Sequence, residues 1–392
     1  MRIALISPYC WPQVRRGSER FLHDASHWLA ARGHTVSIIT SARGPQGGPP
    51  LGAARRREEQ DGRVRRIILP QSEPLGAHLR ACNHLHRFAF QVCDEILAGD
   101  YDVVHCLNYH EAWGALRARR RGGRHRIIYQ SVGVPTWRYF WRIPLDGWMF
   151  RRVVRDADVV ISVSRRAADL LWEDFGRRSV LLRAPTDLRP YLAQQKPPPD
   201  GRLRILFTGD LTEPRKGAVL LARAFARVRA AFPGAVLEYS GASDDAVVAA
   251  VRAATPAVVF EAITFHGVGD VAALPELYAR ATVFVSPAVW EAQGMVLVEA
   301  LAAGTPVVGC NHAGVPDIIS TPAIGRMFEP GPIVDHVSVN DIGLANAILA
   351  VAALAALPET AARCRAHAGA FGWDLLGPHY EEVLLGTARP GG

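Results

Sequence analysis

The chain has 392 residues, too many for one ordinary hydrophobic core and typical of two domains. With 49% hydrophobic and 21% charged residues it has the composition of a soluble globular protein, which excludes a disordered or fibrous chain. The net charge of +8 is carried almost entirely by arginine, and with frequent alanine, glycine and proline this indicates a GC-rich bacterial genome rather than a nucleic-acid-binding surface, although general attraction to anionic ligands or membrane surfaces is expected.

The first half alternates short apolar runs with segments of helical periodicity. Phe21, Leu22, Ala25 and Leu29 share one helical face between two strand-like runs, which is the pattern of a β-α-β unit. The predicted strands are 2–7, 34–40, 64–69, 101–107, 125–132, 157–164 and 179–185, and the predicted helices are 18–33, 79–98, 111–121, 147–156 and 165–176. The Gly-, Pro- and Arg-rich stretch 42–62 is predicted to be a loop.

A proline-rich segment, 191–202, comes next and is the predicted linker. The pattern then restarts, with predicted strands at 203–209, 235–241, 258–264, 281–287 and 305–310 and helices at 216–231, 244–254, 272–280, 295–303 and 314–320. The sequence therefore predicts an α/β protein with two Rossmann-like domains, 1–190 and 203–372, and a C-terminal helix in 373–392 that packs back on the first domain. Ligands bind at the carboxyl ends of such strands, and two facing domains would leave a cleft between them.

The cysteines and the termini favour a cytoplasmic protein. The six cysteines form no C-x-x-C pair and no zinc-ligand spacing, and three of them lie in or beside strand-like runs, as small buried side chains do. The N-terminal apolar run is interpreted as a first strand rather than a signal peptide. The most apolar helical segment, 342–358, is too short and too interrupted to span a bilayer.

Two loops at predicted strand ends carry residues suited to an anionic ligand. Gly17 precedes a helix whose free N–H groups favour anions, although an ordinary loop with Ser18 as N-cap explains the same residues. Gly209 ends a strand, and Arg215 and Lys216 lie at the start of the next helix. A lysine at that junction suits a diphosphate, and a solvated lysine is the alternative.

A third loop brings two glutamates to either side of a helix start. Glu291 comes after a strand, Gly294 precedes the helix, and Glu299 lies slightly more than one turn into it. The helix terminus offers N–H groups to phosphate, and a carboxylate accepts two sugar hydroxyls at once. A phosphate and a sugar could therefore be held side by side; the alternative is a capping Glu291 and a salt-bridged Glu299.

Other motifs carry less chemistry. The sequence has no G-x-G-x-x-G after the first strand, no P-loop and no G-x-S-x-G, which argues against a dinucleotide oxidoreductase, a P-loop NTPase and a serine hydrolase. Asp156 and Asp158 form a D-x-D at a helix-to-strand junction and are interpreted as structural. His105 is interpreted as a buried core histidine in preference to a catalytic one, whereas both interpretations stay open for His110.

Together the three loops resemble the family-four retaining glycosyltransferases of the GT-B fold. "RRGSER" is similar to that family's G-G-x-E-R loop, with Arg16 in place of the first glycine, and "GDLTEPRKG" is similar to its G-R-L-x-x-x-x-K-G element. "EAQGMVLVE" matches its E-x₇-E motif, and "ALAAGTPVVGCNHAGVPDII" resembles the segment that comes after this motif in the family. The resemblance covers nearly the whole chain.

The resemblance implies a nucleotide-sugar donor held mainly by the C-terminal domain. Glu299 would bind the ribose, Glu291 the transferred sugar, and Lys216 with Arg215 the diphosphate. The remaining implied donor contacts are Gly17, Gly209, Val268, Gly294, Met295 and Val296. Transfer would retain the anomeric configuration, with Lys216 and the helix terminus stabilising the leaving group. No metal is implied, and no cofactor besides the donor as co-substrate.

Two positions depart from the family pattern. The family's Gly-Arg pair after the first strand of the C-terminal domain is Gly209-Asp210 here, so a diphosphate-binding arginine is replaced. A histidine that normally contacts the donor sugar is replaced by Val132, and His110 is the candidate substitute among the catalytic residues, beside Lys216 and Glu291.

The acceptor is left open between a small molecule or natural product and a glycolipid or cell-envelope lipid. The aromatic- and arginine-rich segment 135–152 could line a pocket for a ring-shaped acceptor, rest at a membrane interface, or simply pack as helix. The predicted function is a metal-independent, retaining hexosyltransferase of the cytoplasm or the inner face of the membrane that uses a UDP- or GDP-sugar. Two alternatives remain: a non-catalytic protein of this fold that binds a sugar nucleotide or a partner enzyme, and a GT-B sugar-nucleotide epimerase.

Overall fold

The computed structural model describes residues 1–42, 55–70, 84–198, 200–334 and 337–387. The chain forms two compact units, one of Met1–Pro185 together with the C-terminal segment from Trp373 onward, and one of Thr186–Gly372. Parts of the predicted loop 42–62 and the first residues of the predicted helix 79–98 lie outside the described residues.

The first unit is built on an eight-stranded sheet with strand order β3-β4-β2-β1-β5-β6-β7-β8. Its strands are β1 (Arg2–Ile6), β2 (Thr35–Ser41), β3 (Arg57–Asp61), β4 (Val64–Leu69), β5 (Val103–Cys106), β6 (Arg126–Ser131), β7 (Val159–Ser162) and β8 (Val180–Leu181). Its helices are α1 (Gly17–Ala31), α2 (His84–Gly99), α3 (Tyr109–Arg120), α4 (Trp137–Trp141), α5 (Pro144–Asp156) and α6 (Arg165–Phe175). All neighbouring strands are parallel except β3 and β4. The central strands are buried along their length, as strands covered on both faces must be.

The second unit repeats the plan with a six-stranded parallel sheet in the order β11-β10-β9-β12-β13-β14. Its strands are β9 (Arg204–Thr208), β10 (Val236–Ser240), β11 (Ile263–Phe265), β12 (Val283–Ser286), β13 (Val307–Cys310) and β14 (Gly325–Phe328), with a separate pair β15 (Ile333–Val334) and β16 (Val337–Ser338). Its helices are α7 (Arg189–Leu192), α8 (Ala218–Ala231), α9 (Asp245–Ala253), α10 (Ala257–Phe260), α11 (Leu274–Arg280), α12 (Met295–Ala302), α13 (Val315–Ile318), α14 (Asp341–Ala355) and α15 (Thr360–Ala368).

The last helix, α16 (Trp373–Leu385), belongs to the first unit. Trp373 stacks on Phe21 of α1 with ring centroids 6.1 Å apart, and Tyr380 meets the same ring edge-on. Gly377 leaves room for Trp28, because a Cβ there would lie 2.6 Å from the indole. Aromatic stacking and close approach at a glycine therefore fix α16 against α1.

The two-unit α/β architecture predicted from the sequence is confirmed, whereas several elements differ. The predicted strand 258–264 is wrong in its first half: Pro256 caps α10, and the strand starts only at Ile263. The charged strand β3 lies within the predicted loop 42–62; it pairs antiparallel with β4, with Arg65 and Glu58 in a bidentate ion pair. Strand β14 was not predicted.

The predicted linker packs with the second unit. Lys196 donates from Nζ to the carbonyl oxygens of Ala279 (3.2 Å) and Ala281 (2.7 Å) and to Thr305 Oγ1 (2.9 Å). Burial lowers the pKa of Lys196 to about 8. One of the two lysines of the chain is thus committed to structure.

No single helix among the described residues is long and apolar enough to cross a bilayer; α14 and Thr360–Phe371 meet the criterion only as a pair bent by 106°.

Candidate functional site

The second unit brings the two most specific predicted loops together at one sheet edge. Because β9 and β12 are parallel neighbours, the loops after them meet at the carboxyl ends of the strands. Lys216 Nζ donates to Glu291 Oε2 at 2.8 Å, which links the loop after β9 to the loop after β12. Gly217 adopts φ 77° and lies against Pro287, so a side chain there would meet both strain and a contact near 3.0 Å.

The ion pair sets the charge of Glu291. Burial alone would raise the pKa of this carboxyl, but the Lys216 ammonium, and more weakly Arg215, hold it below its usual range. Both side chains keep part of their surface accessible, with about a fifth of each exposed (21% and 18%). A charged, mutually neutralising and ligand-accessible pair therefore lies at the strand ends.

Asp210, which stands where the family pattern has an arginine, forms a local turn and supplies no positive charge. Asp210 Oδ1 accepts from the backbone N–H of Thr212 (3.0 Å) and from its hydroxyl (2.6 Å). Arg215 is ion-paired with Glu213 at 2.5 Å and is partly exposed. Arg215 is therefore near the pair but held by another carboxylate, and Lys216 is the cation in direct contact with Glu291.

Glu299 is fixed by a hydrogen-bonded chain that the sequence did not predict. Tyr278 is fully buried and donates from its hydroxyl to Glu299 Oε2 at 2.9 Å. The phenol has one proton, so Thr208 Oγ1, at 2.7 Å, must donate to the Tyr278 oxygen. Burial, and then the charge of Glu299, raise the pKa of Tyr278 well above its usual value, which keeps the phenol a donor. The chain thereby ties Glu299 in α12 to the end of β9.

The start of α12 is shaped by two glycines. Gly294 precedes the helix with φ 90° and, as the N-cap residue, has no side chain to cap it. The N–H of Gly314 donates to the Glu291 carbonyl at 2.9 Å, and a Cβ at Gly314 would lie only 2.0 Å from the Ala292 carbonyl oxygen. Met295 and Val296, in the first turn, are partly exposed. The N–H groups of this first turn suit an anionic group.

Backbone hydrogen bonds join the neighbouring loops on the same edge. Gly209 donates to the Ser240 carbonyl at 3.0 Å, and Gly241 donates to the Gly267 carbonyl at 2.9 Å. A Cβ at Gly241 would lie 1.8 Å from the Gly209 carbonyl oxygen, so only glycine fits there. Val268, the residue expected near the base, is largely exposed on the outermost of these loops.

The first unit holds Gly17 and His110, which the structure places on its own strand ends. Gly17 is the first residue of α1. Arg16 is the N-cap residue, and its side chain makes no capping hydrogen bond, so Ser18 is not the N-cap. Ser18 instead donates to Glu19 Oε2 at 2.9 Å. Burial raises the pKa of Glu19, and burial likewise raises the pKa of the neighbouring Glu111 to about 8. Val132 comes directly after β6 and is half-buried.

His110 lies in a buried hydrogen-bonded network at the start of α3. Its Nε2 is 2.8 Å from Asp146 Oδ1, an oxygen that also accepts from the Tyr109 hydroxyl at 2.8 Å. His86 Nε2 lies 3.4 Å from the same oxygen. His110 Nδ1 is buried without a hydrogen-bond partner among the described residues. The imidazole is oriented by a carboxylate but is not exposed to solvent.

The two remaining predictions concern structural groups. His105 is fully buried with Nδ1 2.9 Å from the Tyr380 hydroxyl, and burial lowers its pKa to about 3. Asp156 is paired with Arg152 and Arg155, and Asp158 with Arg119. These contacts support a structural role for the D-x-D and for His105.

Two groups in the described residues have the spacing of metal ligands. One is the His86, His110 and Asp146 network, and the other is His23, His27 and Asp61. In the first, Tyr109 and His110 satisfy the shared oxygen. In the second, the guanidinium of Arg66 lies 2.7 Å from Asp61 Oδ2. Both carboxylates therefore have hydrogen-bond or ion-pair partners among the described side chains.

Comparison with known proteins covers both units. Residues 16–186 match the family model described as "Glycosyl transferase 4-like domain", and residues 202–353 match the model described as "Glycosyl transferases group 1". A glycogen synthase of Mycobacterium tuberculosis is 26% identical, over 99% of this chain and 95% of its own length. A phosphatidyl-myo-inositol mannosyltransferase of Propionibacterium freudenreichii is 25% identical, over 96% of this chain and 93% of its own length.

Solved structures share the fold at lower identity. A sucrose-phosphate synthase from Thermosynechococcus elongatus superposes with a TM-score of 0.77 and 23% identity, covering 98% of this chain and 99% of that one. Anabaena HepE, solved in complex with UDP and glucose, superposes with a TM-score of 0.71 and 17% identity, covering 98% of this chain and 99% of its own. These likenesses concern the fold.

The site residues missed by the sequence reasoning are Tyr278, Thr208, Gly241 and Gly314. Each lies outside the recognised motifs or acts through the backbone. Gly314 lies within a segment that resembles the family, and Thr208 directly precedes another such segment. These motifs could therefore have identified both residues as candidates. Tyr278 carried none, because a tyrosine on the buried face of a helix is ordinary core.

Proposed function

Because the chain belongs to the family-four glycosyltransferases of the GT-B fold, we propose that it transfers a sugar from a nucleotide-diphosphate sugar to an acceptor with retention of the anomeric configuration. The observation that carries the proposal is the accessible Lys216–Glu291 ion pair beside the start of α12, where the N-cap residue is a glycine. A cation and a helix N-terminus suit the diphosphate, and the carboxylate suits sugar hydroxyls.

Donor binding would break this ion pair and give Lys216 and Glu291 each a new partner on the donor. The diphosphate would take the Lys216 ammonium, assisted by Arg215 and by the N–H groups of Met295 and Val296. Glu291, released from its cation, would accept hydroxyls of the transferred sugar. Glu299, oriented by Tyr278, would accept the ribose hydroxyls.

Three glycines and one valine would complete donor binding. Gly294 leaves the helix start open, and Gly209 lets the backbone after β9 approach the diphosphate. Gly17 is a further proposed contact to the diphosphate. Val268 would contact the base. A UDP- or GDP-sugar is proposed, in line with relatives whose names include a GDP-mannose-dependent mannosyltransferase and a HepE complex with UDP-glucose.

In the proposed mechanism the bond from the anomeric carbon to the diphosphate oxygen breaks, and the acceptor hydroxyl forms its new bond on the same face. The acceptor proton passes to the departing diphosphate. Lys216 and the start of α12 stabilise the charge that develops on the leaving group, so the proposed reaction needs no metal ion. His110 would contact the donor sugar in place of the family's histidine. Asp146 orients its imidazole, and the contact requires Nδ1, which is now buried, to become accessible.

We propose a lipid-linked acceptor, at the cytoplasmic face of the membrane, ahead of a soluble one. Relatives whose names specify phosphatidylinositol acceptors support this choice, although a glycogen synthase is equally similar. The aromatic segment around α4 and α5 adds a second reason, because it exposes large rings to solvent.

A non-catalytic protein that binds a sugar nucleotide remains the second candidate. The observation in its favour is the Asp210 turn, which puts a carboxylate where the family has a diphosphate-binding arginine. Such a protein would bind the nucleotide and not turn it over.

Turnover of UDP-glucose and GDP-mannose with a membrane-lipid extract as acceptor tests the proposal, measured as release of nucleoside diphosphate. Lys216→Met should lower kcat/KM by roughly 100-fold or more, since it removes one charge from the leaving-group site. Arg215→Gln, the neighbouring cation paired with Glu213, is the matched control and should lose much less. An inverted product by NMR, or full activity in Lys216→Met, would contradict the mechanism.

A further inference from the structure

An exposed aromatic and basic surface lies on α4 and α5 of the first unit. Trp141 is 78% exposed, Tyr139 60% and Trp148 51%. These side chains come from α4 and from the start of α5, and their neighbours Phe140 and Phe150 are buried. Exposed apolar patches rimmed by polar residues mark interaction sites for proteins or membranes.

Helix α5 divides sharply into a buried and an exposed face. Met149, Phe150, Val153 and Val154 face the core. The other face carries Trp148, Arg151, Arg152 and Arg155, which are spaced at i, i+3, i+4 and i+7. The helix is therefore amphipathic: one face is apolar and buried, and the other carries one tryptophan and three arginines.

The arginine stripe lines an open groove against the end of α6. Arg177 contributes a further guanidinium from that side, and Asp174 is the one carboxylate among the described residues that line the groove. Asp174 is already engaged, since it accepts from the backbone N–H of Trp137 at 2.6 Å. The groove thus has four arginines facing a single committed acid.

The positive charge of this groove is only partly neutralised. Asp156 is shared by Arg155 (2.6 Å), Arg152 (3.3 Å) and Arg120 (3.7 Å). Arg151 stacks on the Trp137 ring at 3.9 Å and has no carboxylate within ion-pair distance in the part of the chain that the structure describes. Its guanidinium edge remains available to an anion, because stacking uses only the face of the group.

We propose that this surface, formed by α4, the exposed face of α5 and the end of α6, docks on an anionic lipid bilayer. The tryptophan and tyrosine rings insert at the headgroup level, where amphipathic aromatic side chains are favoured. The groove arginines bind phosphate groups of the anionic lipids, which match their charge and their planar donor geometry. The inference deepens the proposed function, because it places the lipid-linked acceptor beside the first unit, but docking itself requires no turnover.

Vesicle flotation with the whole 392-residue chain tests the proposal. We expect binding to vesicles of phosphatidylcholine mixed with phosphatidylglycerol, little binding to phosphatidylcholine alone, and weaker binding as salt is raised. Arg151→Gln with Arg155→Gln should weaken binding about 25-fold, at roughly fivefold for each arginine near an anionic surface. Trp141→Ser with Trp148→Ser should weaken it by roughly tenfold or more.

Matched variants in the second unit serve as controls. Arg223→Gln with Arg252→Gln removes two exposed arginines, one of which stacks on Phe260 as Arg151 stacks on Trp137. Ile342→Ser removes an exposed apolar side chain. Both should bind vesicles as the unchanged protein does, and thermal unfolding of all variants checks that they fold.

Several outcomes would overturn the inference. Equal binding to both vesicle types would remove the role of the arginines, and equal loss in the control variants would make the attraction non-specific. Binding of free phosphate without binding of vesicles would identify a soluble anion site. Self-association that is lost in Trp141→Ser would assign the surface to a second copy of the chain. Calorimetry with nucleotides on the same variants separates this result from the donor site, since nucleotide binding should be unchanged in all of them.

Discussion

Tyr278→Phe removes one oxygen from the chain that orients Glu299, and its expected effects can be worked from the contacts. The phenol donates to the Glu299 carboxylate at 2.9 Å and accepts from Thr208 at 2.7 Å. Phenylalanine keeps the ring and its packing, so the change is confined to these two hydrogen bonds. Tyr278 is fully buried, and no water can readily replace the missing hydroxyl.

The hydrogen bond to a charged group contributes about 1.5–3 kcal/mol, and the bond from Thr208 about 1 kcal/mol. We therefore expect the second unit to lose about 2.5–4 kcal/mol of stability. If Glu299 binds the ribose, a loosened carboxylate should also weaken nucleotide binding by about tenfold, the equivalent of about 1.4 kcal/mol.

Tyr380→Phe is the matched control. Its hydroxyl is also buried and lies 2.9 Å from His105 Nδ1, but in the first unit. Urea unfolding should show a loss of stability for both variants, whereas calorimetric nucleotide affinity should fall only in Tyr278→Phe. Unchanged affinity in Tyr278→Phe, or an equal loss in both variants, would refute the argument that this tyrosine positions a donor-binding carboxylate.

Two further predictions address the helix start and the first unit. Gly294→Ala should lower the free energy of unfolding by about 1–2 kcal/mol and weaken nucleotide binding, because φ is 90° and the new methyl group would lie 3.2 Å from Leu297. The control is Gly369→Ala, where φ is −52° and the surrounding space is open. It should leave the free energy of unfolding unchanged in the same urea titration. The pKa of Glu111 is raised by burial to about 8, so the folded state holds this proton more tightly than the unfolded chain, and the stability it contributes is complete below about pH 4.5 and lost as the pH rises through about 8. Glu111→Gln should flatten the fall in unfolding free energy between about pH 4.5 and 8, and an unchanged slope would contradict the raised pKa.

The alternation of buried strands and amphipathic helices was predictable because it is local and periodic. The run Ile3–Ile6 and the face of Phe21 and Leu22 result directly from hydrophobic patterning. Strand β3 was not predictable in this way: its residues are charged, and it is a strand only because β4 offers it an edge. The apolar run around Val259 was ambiguous for the opposite reason, since helix and strand both bury such residues.

The site likewise has a part that local sequence predicts and a part that depends on the folded unit. Glu291, Gly294 and Glu299 were predicted because their spacing matches a strand end and one helical turn. The contact between Lys216 and Glu291 depends on the neighbouring positions of β9 and β12, and nothing in the local sequence specifies that pairing. Tyr278 reaches Glu299 from a different helix, which only the folded unit determines.

The most direct test of the proposed donor site is calorimetry of the purified protein against UDP, GDP, ADP and TDP, with Glu299→Ala and Lys216→Ala beside it. Glu382→Ala, on the exposed side of α16, serves as the control. One nucleotide should bind with a dissociation constant on the order of micromolar, and both site variants should lose at least about tenfold while the control keeps its affinity. Absence of binding by all four nucleotides, or equal affinity in Glu299→Ala and Lys216→Ala, would contradict the assignment of this strand edge as the donor site.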